Sequence, residues 1–139
     1  EKGNVIGVIP HALASKEFAH PNLTELRMVS SMHERKAMMA ELSDAFIAMP
    51  GGFGTFDEFF EILTWSQLGL HAKPIGLLNV EGYFDLLLAF INHVLEERFI
   101  QTEHSRLIIT YRHPGELLSE LTRCKPLQKL PQVIDWKET

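Results

Sequence analysis

Cysteine is nearly missing from this chain: Cys124 is the only one in 139 residues. No disulfide can therefore close within it, and a reducing, cytoplasmic compartment fits. Long apolar runs are missing too. The longest apolar cluster, Tyr83–Leu95, is interrupted by Asp85, Asn92 and His93, short of the roughly 18 uninterrupted residues that a membrane span requires. There is no long basic run, and the net charge is −5, which argues against nucleic acid as the main partner. The histidines, at positions 11, 20, 33, 71, 93, 104 and 113, show no ligand spacing, so no catalytic metal is expected. Neither an internal repeat nor a low-complexity segment is visible.

The composition is that of a soluble globular protein, 45% hydrophobic and 22% charged. The length suffices for one domain burying about two-thirds of its unfolded surface. The chain starts at Glu1 and is already in an apolar run by Val5, as the middle of a domain would be. No targeting signal is read from such a start.

Periodicity divides the chain into alternating strands and helices. Val5–Ile9 reads as a buried strand ended by Pro10, residues 10–24 as a loop covering the site, and Glu25–Ser30 as a short edge strand. Met32–Leu42 reads as a helix by propensity, with Ser31 at its N-cap. Ala45–Met49 is the next strand, and a helix is expected over 56–68. Ile75–Leu78 and Leu107–Thr110 complete the strands, with helices over Tyr83–Glu97 and Gly115–Cys124. Lys125–Thr139, with Pro126 and Pro131, reads as an irregular tail. The pattern predicts an α/β fold, a Rossmann-like parallel sheet with helices on both faces, over residues 1–124.

The most informative stretch is Pro50-Gly51-Gly52-Phe53-Gly54-Thr55-Phe56-Asp57-Glu58, set between a strand and a helix. Glycines there allow positive φ and close approach of backbone to a ligand. The first N–H groups of the following helix lack intrahelical partners, and the macrodipole makes that end positive. Such a loop is suited to a phosphate, although glycine turns between strand and helix also arise for steric reasons alone. Thr55 and Glu58 fit a capping box, with Thr55 at N-cap and Glu58 at N3. Upstream lies a second cluster, Met32-His33-Glu34-Arg35-Lys36-Ala37-Met38-Met39.

Together these two motifs resemble the LONELY GUY family, the cytokinin riboside 5′-monophosphate phosphoribohydrolases, many of whose members carry the older label "possible lysine decarboxylase". The likeness runs on through Thr64-Trp65-Ser66-Gln67-Leu68-Gly69, Lys73–Asn79, Gly82-Tyr83 and Glu97-Arg98-Phe99-Ile100. It implies that a further N-terminal βα portion of the family fold is absent from this sequence. It also implies catalytic roles for Arg35 and Glu58. Substrate-contacting positions carried by the resemblance are Glu17, Arg35, Lys36, Thr64 and the loop Gly51, Gly52, Phe53, Gly54, Thr55, Phe56, Asp57 and Glu58.

The chemistry so implied is hydrolysis of the N-glycosidic bond of adenosine 5′-monophosphate or an N6-substituted form, giving free base and ribose 5-phosphate. Arginine offers a planar, permanently charged fork for phosphate or carboxylate. An anionic Glu58 would stabilise an oxocarbenium-like sugar or orient the attacking water. No cofactor is expected: decarboxylation would call for pyridoxal phosphate on a lysine, and no residue set suggests it. A non-catalytic nucleotide-binding module on the same fold is the alternative. A homodimer is expected, because Tyr83, Phe84, Leu86, Leu87, Leu88, Phe90, Ile91, Val94 and Leu95 spread wider than one core-facing stripe.

Overall fold

A computed structural model describes residues 3–14, 20 and 22–124. The tail expected over 125–139 lies outside these residues. The chain forms two compact units, Glu1–Ser43 and Asp44–Thr139.

In the first unit, β1 (Ile6–Pro10) pairs in parallel with β2 (Glu25–Val29), Ile6 opposite Glu25 and Pro10 opposite Val29. Val8 and Val29 are buried. Between the strands the loop reading fails in part. His11–Ala14 forms a short helix, α1, as a His-Ala-Leu-Ala run rich in good helix formers allows. Helix α2 spans Met32–Leu42, as expected, with Ser31 as its N-cap. The Glu34 N–H donates to Ser31 Oγ at 3.1 Å, and the Glu34 carboxylate accepts from the Ser30 N–H at 2.7 Å. These bonds satisfy donors that a helix start leaves unpaired. Hydrogen bonds from the Ser30 hydroxyl and backbone also hold the Glu34 carboxyl below its usual range.

The second unit holds β3 (Phe46–Ala48), β4 (Ile75–Leu78) and β5 (Ile108–Tyr111), parallel and side by side in chain order. Helix α3 (Phe53–Gln67) connects β3 to β4, and α4 (Asp85–Glu96) connects β4 to β5. Helix α5 (Pro114–Arg123) follows β5. Strand β4 is buried along Ile75, Gly76 and Leu77. Successive side chains point to opposite faces, so both faces of β4 are covered, as in parallel α/β sheets. Gly76 lies beneath α5: a Cβ there would sit 2.9 Å from Leu117 Cδ1. The α3 face toward the core carries Phe59, Ile62 and Ser66.

Both long helices of this unit end on a residue with positive φ. Gly69 (φ 72) closes α3, with the Leu70 N–H donating to the Trp65 carbonyl at 2.9 Å. Arg98 (φ 63) closes α4, with the Phe99 N–H on the Val94 carbonyl at 3.1 Å. This reuse of the last carbonyls is the usual device for stopping a helix. Below β3, His71 donates through Nε2 to the Ile62 carbonyl at 2.9 Å and accepts at Nδ1 from the Lys73 N–H at 3.2 Å. These partners fix the neutral tautomer protonated at Nε2.

The chain is thus α/β with parallel strands flanked by helices, the expected Rossmann-like class, its strands hydrogen-bonded as a pair and a triplet. One boundary shifts with consequence. Helix α3 begins at Phe53 rather than Phe56, with Gly52 as its N-cap. Thr55 is therefore inside the first turn, and the Thr55–Glu58 capping box is not formed. Helix α4 starts at Asp85 rather than Tyr83, because residues Val80–Gly82 form a 3-10 turn first.

Candidate active site

Three connections leave the carboxyl ends of the parallel strands of the second unit: Met49–Gly52 after β3, Asn79–Phe84 after β4, and Arg112-His113 after β5. That edge is where open parallel sheets bind ligands.

The glycine loop sits at this edge and opens α3. Its glycines do not serve positive φ, contrary to the expectation; among the described glycines only Gly69 and Gly82 have it. Gly51 instead permits close packing: a Cβ there would overlap Thr55 Oγ1 and lie 3.1 Å from Thr55 Cβ. At Gly52 and Gly54 a Cβ would meet nothing within 4 Å. Among the described residues no packing requires either glycine, and both leave space beside the helix N-terminus. Gly52 makes no side-chain cap, and the N–H groups of the first turn face the end of the helix that favours an anion.

Glu58 is half-buried in the second turn of α3. Side chains on a helix lean toward its N-terminus, and positions i−3 and i−4 share the face. Glu58 therefore shares a face with Thr55 and Gly54, the latter without a side chain to obstruct it. Asp57 is exposed on the neighbouring face, and Phe53 stands 94% exposed at the helix tip. Phe56 is half-buried and edge-on to Phe84, ring centroids 6.4 Å apart. Thr64 is exposed and its hydroxyl donates to the Phe60 carbonyl of the preceding turn at 2.7 Å.

In the first unit, Arg35 and Lys36 are both half-buried on α2. The Arg35 N–H donates to the Ser31 carbonyl at 3.0 Å, so the capped start of α2 sets the height of Arg35 along the helix. The structure thus gathers Gly51–Glu58 and Thr64 on one element and Arg35 with Lys36 on another. Glu17 lies outside the described residues.

Two residues that sequence reasoning passed over belong to this edge. Asn79, 3% exposed, accepts from the Phe84 N–H at 2.7 Å and donates to Asp85 Oδ1 at 2.7 Å. Tyr83 donates its hydroxyl hydrogen to the Gly51 carbonyl at 2.7 Å. Both stand in the run that carries the family likeness, but a contact 32 residues along the chain has no local signature. Among the described residues no group of three or more His, Cys, Asp or Glu could hold a metal ion. Among them, too, no helix is long and apolar enough to cross a membrane.

Fold and loop together define a Rossmann-like α/β class, with a glycine-rich helix start at the carboxyl edge of parallel strands. The family described as possible lysine decarboxylase matches residues 1–121, and the chain belongs to it. Among its curated relatives is the Arabidopsis thaliana cytokinin riboside 5′-monophosphate phosphoribohydrolase LOG4, 50% identical over 88% of this chain and 57% of the relative. LOGL9 of Oryza sativa subsp. japonica, described as a probable cytokinin riboside 5′-monophosphate phosphoribohydrolase, is 49% identical over 90% of the chain and 55% of its own length. LOG7 of Arabidopsis thaliana, named for the same activity as LOG4, is 43% identical over 97% of this chain and 63% of its own length. The chain therefore spans less than two-thirds of the length of these relatives.

Proposed function

We propose that residues 1–124 work as one phosphoribohydrolase domain that cleaves the N-glycosidic bond of adenosine 5′-monophosphate or an N6-substituted form. The observation that carries this reading is the open glycine loop at the start of α3 with Glu58 one turn behind it. The names of the relatives, which act on cytokinin riboside 5′-monophosphates, support it.

In this reading the first-turn N–H groups of α3 bind the 5′-phosphate, and the guanidinium of Arg35 clamps the nucleotide. Lys36, Glu17 and Thr64 complete the contacts. The bond between the sugar C1′ and the base nitrogen breaks, the departing base takes up a proton, and the oxygen of water bonds to C1′. Glu58 as an anion lowers the energy of the oxocarbenium-like sugar between these events, and the phosphate grip fixes orientation. Glu58 stands in the second turn of α3 and is not the N3 residue of its cap.

The same reading includes a cytoplasmic setting and a homodimer. Helix α4 supports the latter: Leu86 is 86% and Phe90 61% exposed, one helical turn apart, and such a face is suited to a second copy of the chain. The deciding experiment incubates the intact protein with a panel of nucleoside 5′-monophosphates and identifies released bases by chromatography. Release of adenine or an N6-substituted adenine is expected. Binding of a nucleotide without release would reduce the site to a binding module.

A further inference from the structure

The hydrogen bond from Tyr83 to Gly51 reaches the one peptide of the loop with glycine on both sides, Gly51–Gly52. A trans peptide holds its C=O and N–H in one plane, pointing in opposite directions across the C–N bond. Whatever holds the Gly51 carbonyl therefore also aims the Gly52 N–H, at the N-cap of α3. With no Cβ on either flank this plane meets the least steric resistance to turning over. Turned over, it would present a carbonyl oxygen where an N–H had been, an acceptor facing an anion.

Tyr83 is well anchored for this task. The turn that delivers it is fixed at Gly82, where φ is +73 and a Cβ would lie 2.5 Å from Asp85 Oδ2. Asn79, buried at the end of β4, holds the Phe84 N–H and the Asp85 carboxylate, and its own N–H donates to the Tyr111 carbonyl at 2.8 Å. Phe84 is 1% exposed and meets the Tyr83 ring edge-on, centroids 5.0 Å apart and planes at 90°. The β4 and β5 ends thus brace the tyrosine from behind while its hydroxyl reaches the glycine loop.

We propose that Tyr83 is a positioning residue for the 5′-phosphate: through the Gly51 carbonyl it holds the Gly51–Gly52 peptide with its N–H turned toward the anion site. This rests on the reading of the loop as the phosphate cradle. Tyr83 touches no reacting atom. A purely structural hydroxyl on this exposed carbonyl would be replaced by water with little consequence; a positioning one would not, because water does not select one orientation of the peptide.

The test uses the intact protein with Tyr83→Phe, which keeps the ring and its contact with Phe84. Affinity for ribose 5-phosphate, by calorimetry, should weaken about three- to tenfold, the range set by one lost hydrogen bond. KM for the nucleotide should rise in parallel, while kcat at saturation, the affinity for free adenine and the melting temperature stay near wild type. Wild-type affinity for ribose 5-phosphate in the variant would overturn the proposal, as would an equal loss for adenine. Wild-type protein that binds ribose 5-phosphate yet releases no base would refute the hydrolase reading alone, and the binding comparison would still decide on Tyr83. Wild-type protein that does not bind ribose 5-phosphate would overturn the cradle and this proposal together.

Discussion

Gly51 and Thr55 stand so close that a Cβ on the glycine would fall on the threonine hydroxyl. Gly51→Ala should therefore displace Thr55, distort the start of α3 and lower both melting temperature and nucleotide affinity. The cost should shrink in a Thr55→Ala background, where the first atom struck is gone. A double-mutant cycle on melting free energies checks this, and strict additivity would contradict it.

Gly54→Ala should behave in the opposite way. The position is helical and a Cβ there meets nothing, so the substitution should stabilise the fold by about 0.4–1 kcal/mol. In the same protein KM for the nucleotide should rise, because the methyl occupies space left beside Glu58 and the helix N-terminus. Thermal melts and steady-state kinetics on one preparation test both halves. A variant that is stabilised with unchanged KM would remove the clearance role of Gly54.

Glu58→Gln should lower kcat by about 10²–10⁴, the range typical of losing a general acid–base group, with little change in melting temperature because glutamine keeps the size of the side chain. Arg35→Ala should likewise remove most activity, and Arg35→Lys should restore little, since an ammonium cannot reproduce the fork. Turnover within a few-fold of wild type for Glu58→Gln would rule out the hydrolase mechanism.

His71 should titrate below the ordinary histidine value of 6.5: burial disfavours its charged form and the nearby Lys73 charge adds to this, against the opposing pull of the Ile62 carbonyl. In the unfolded chain it protonates first as pH falls. Its contribution to stability is therefore complete above the unfolded value and is lost as pH drops through the folded one. Proton NMR should give a midpoint under 6.5, and His71→Gln should flatten the fall in melting temperature as pH drops below that ordinary value. A midpoint at or above the ordinary value would contradict the burial argument.

Leu86→Glu combined with Phe90→Glu should convert a dimer to monomer with little change in melting behaviour at low concentration, because both side chains lie on the open face of α4. Light scattering of the intact protein at about micromolar concentration reads the outcome, micromolar being a strength that a standard-sized interface sustains. A wild-type monomer would end the dimer reading.

Much of this organisation was legible in the chain. Ile75–Leu78, a continuous apolar run bounded by Pro74 and Asn79, occupies the bounds expected of it, and so does Met32–Leu42 behind Ser31. The start of α3 was not legible. Glycine at 52 and 54 argues against helix by propensity, yet the first helical positions have no intrahelical donor bond to lose. Thr55 resembled a cap because its type and spacing match one; only the packing against Gly51 shows where its hydroxyl goes. The Ser31–Glu34 pair was readable as a cap with its glutamate and was read only in half. The Val80–Gly82 turn, with Glu81 at φ 51, is spanned by the Asn79 side chain, bonded to the Phe84 N–H and the Asp85 carboxylate; these partners are close in sequence, but neither periodicity nor propensity marks them.

In the second unit spatial order follows chain order, β3 then β4 then β5. Each strand as it emerges during synthesis finds its neighbour already made, and none has to insert between two earlier ones. The glycine loop precedes α3 and so leaves the ribosome before Tyr83, the residue that secures it. The unit can grow by simple addition at one edge, but the loop acquires its final shape only when the end of β4 has docked.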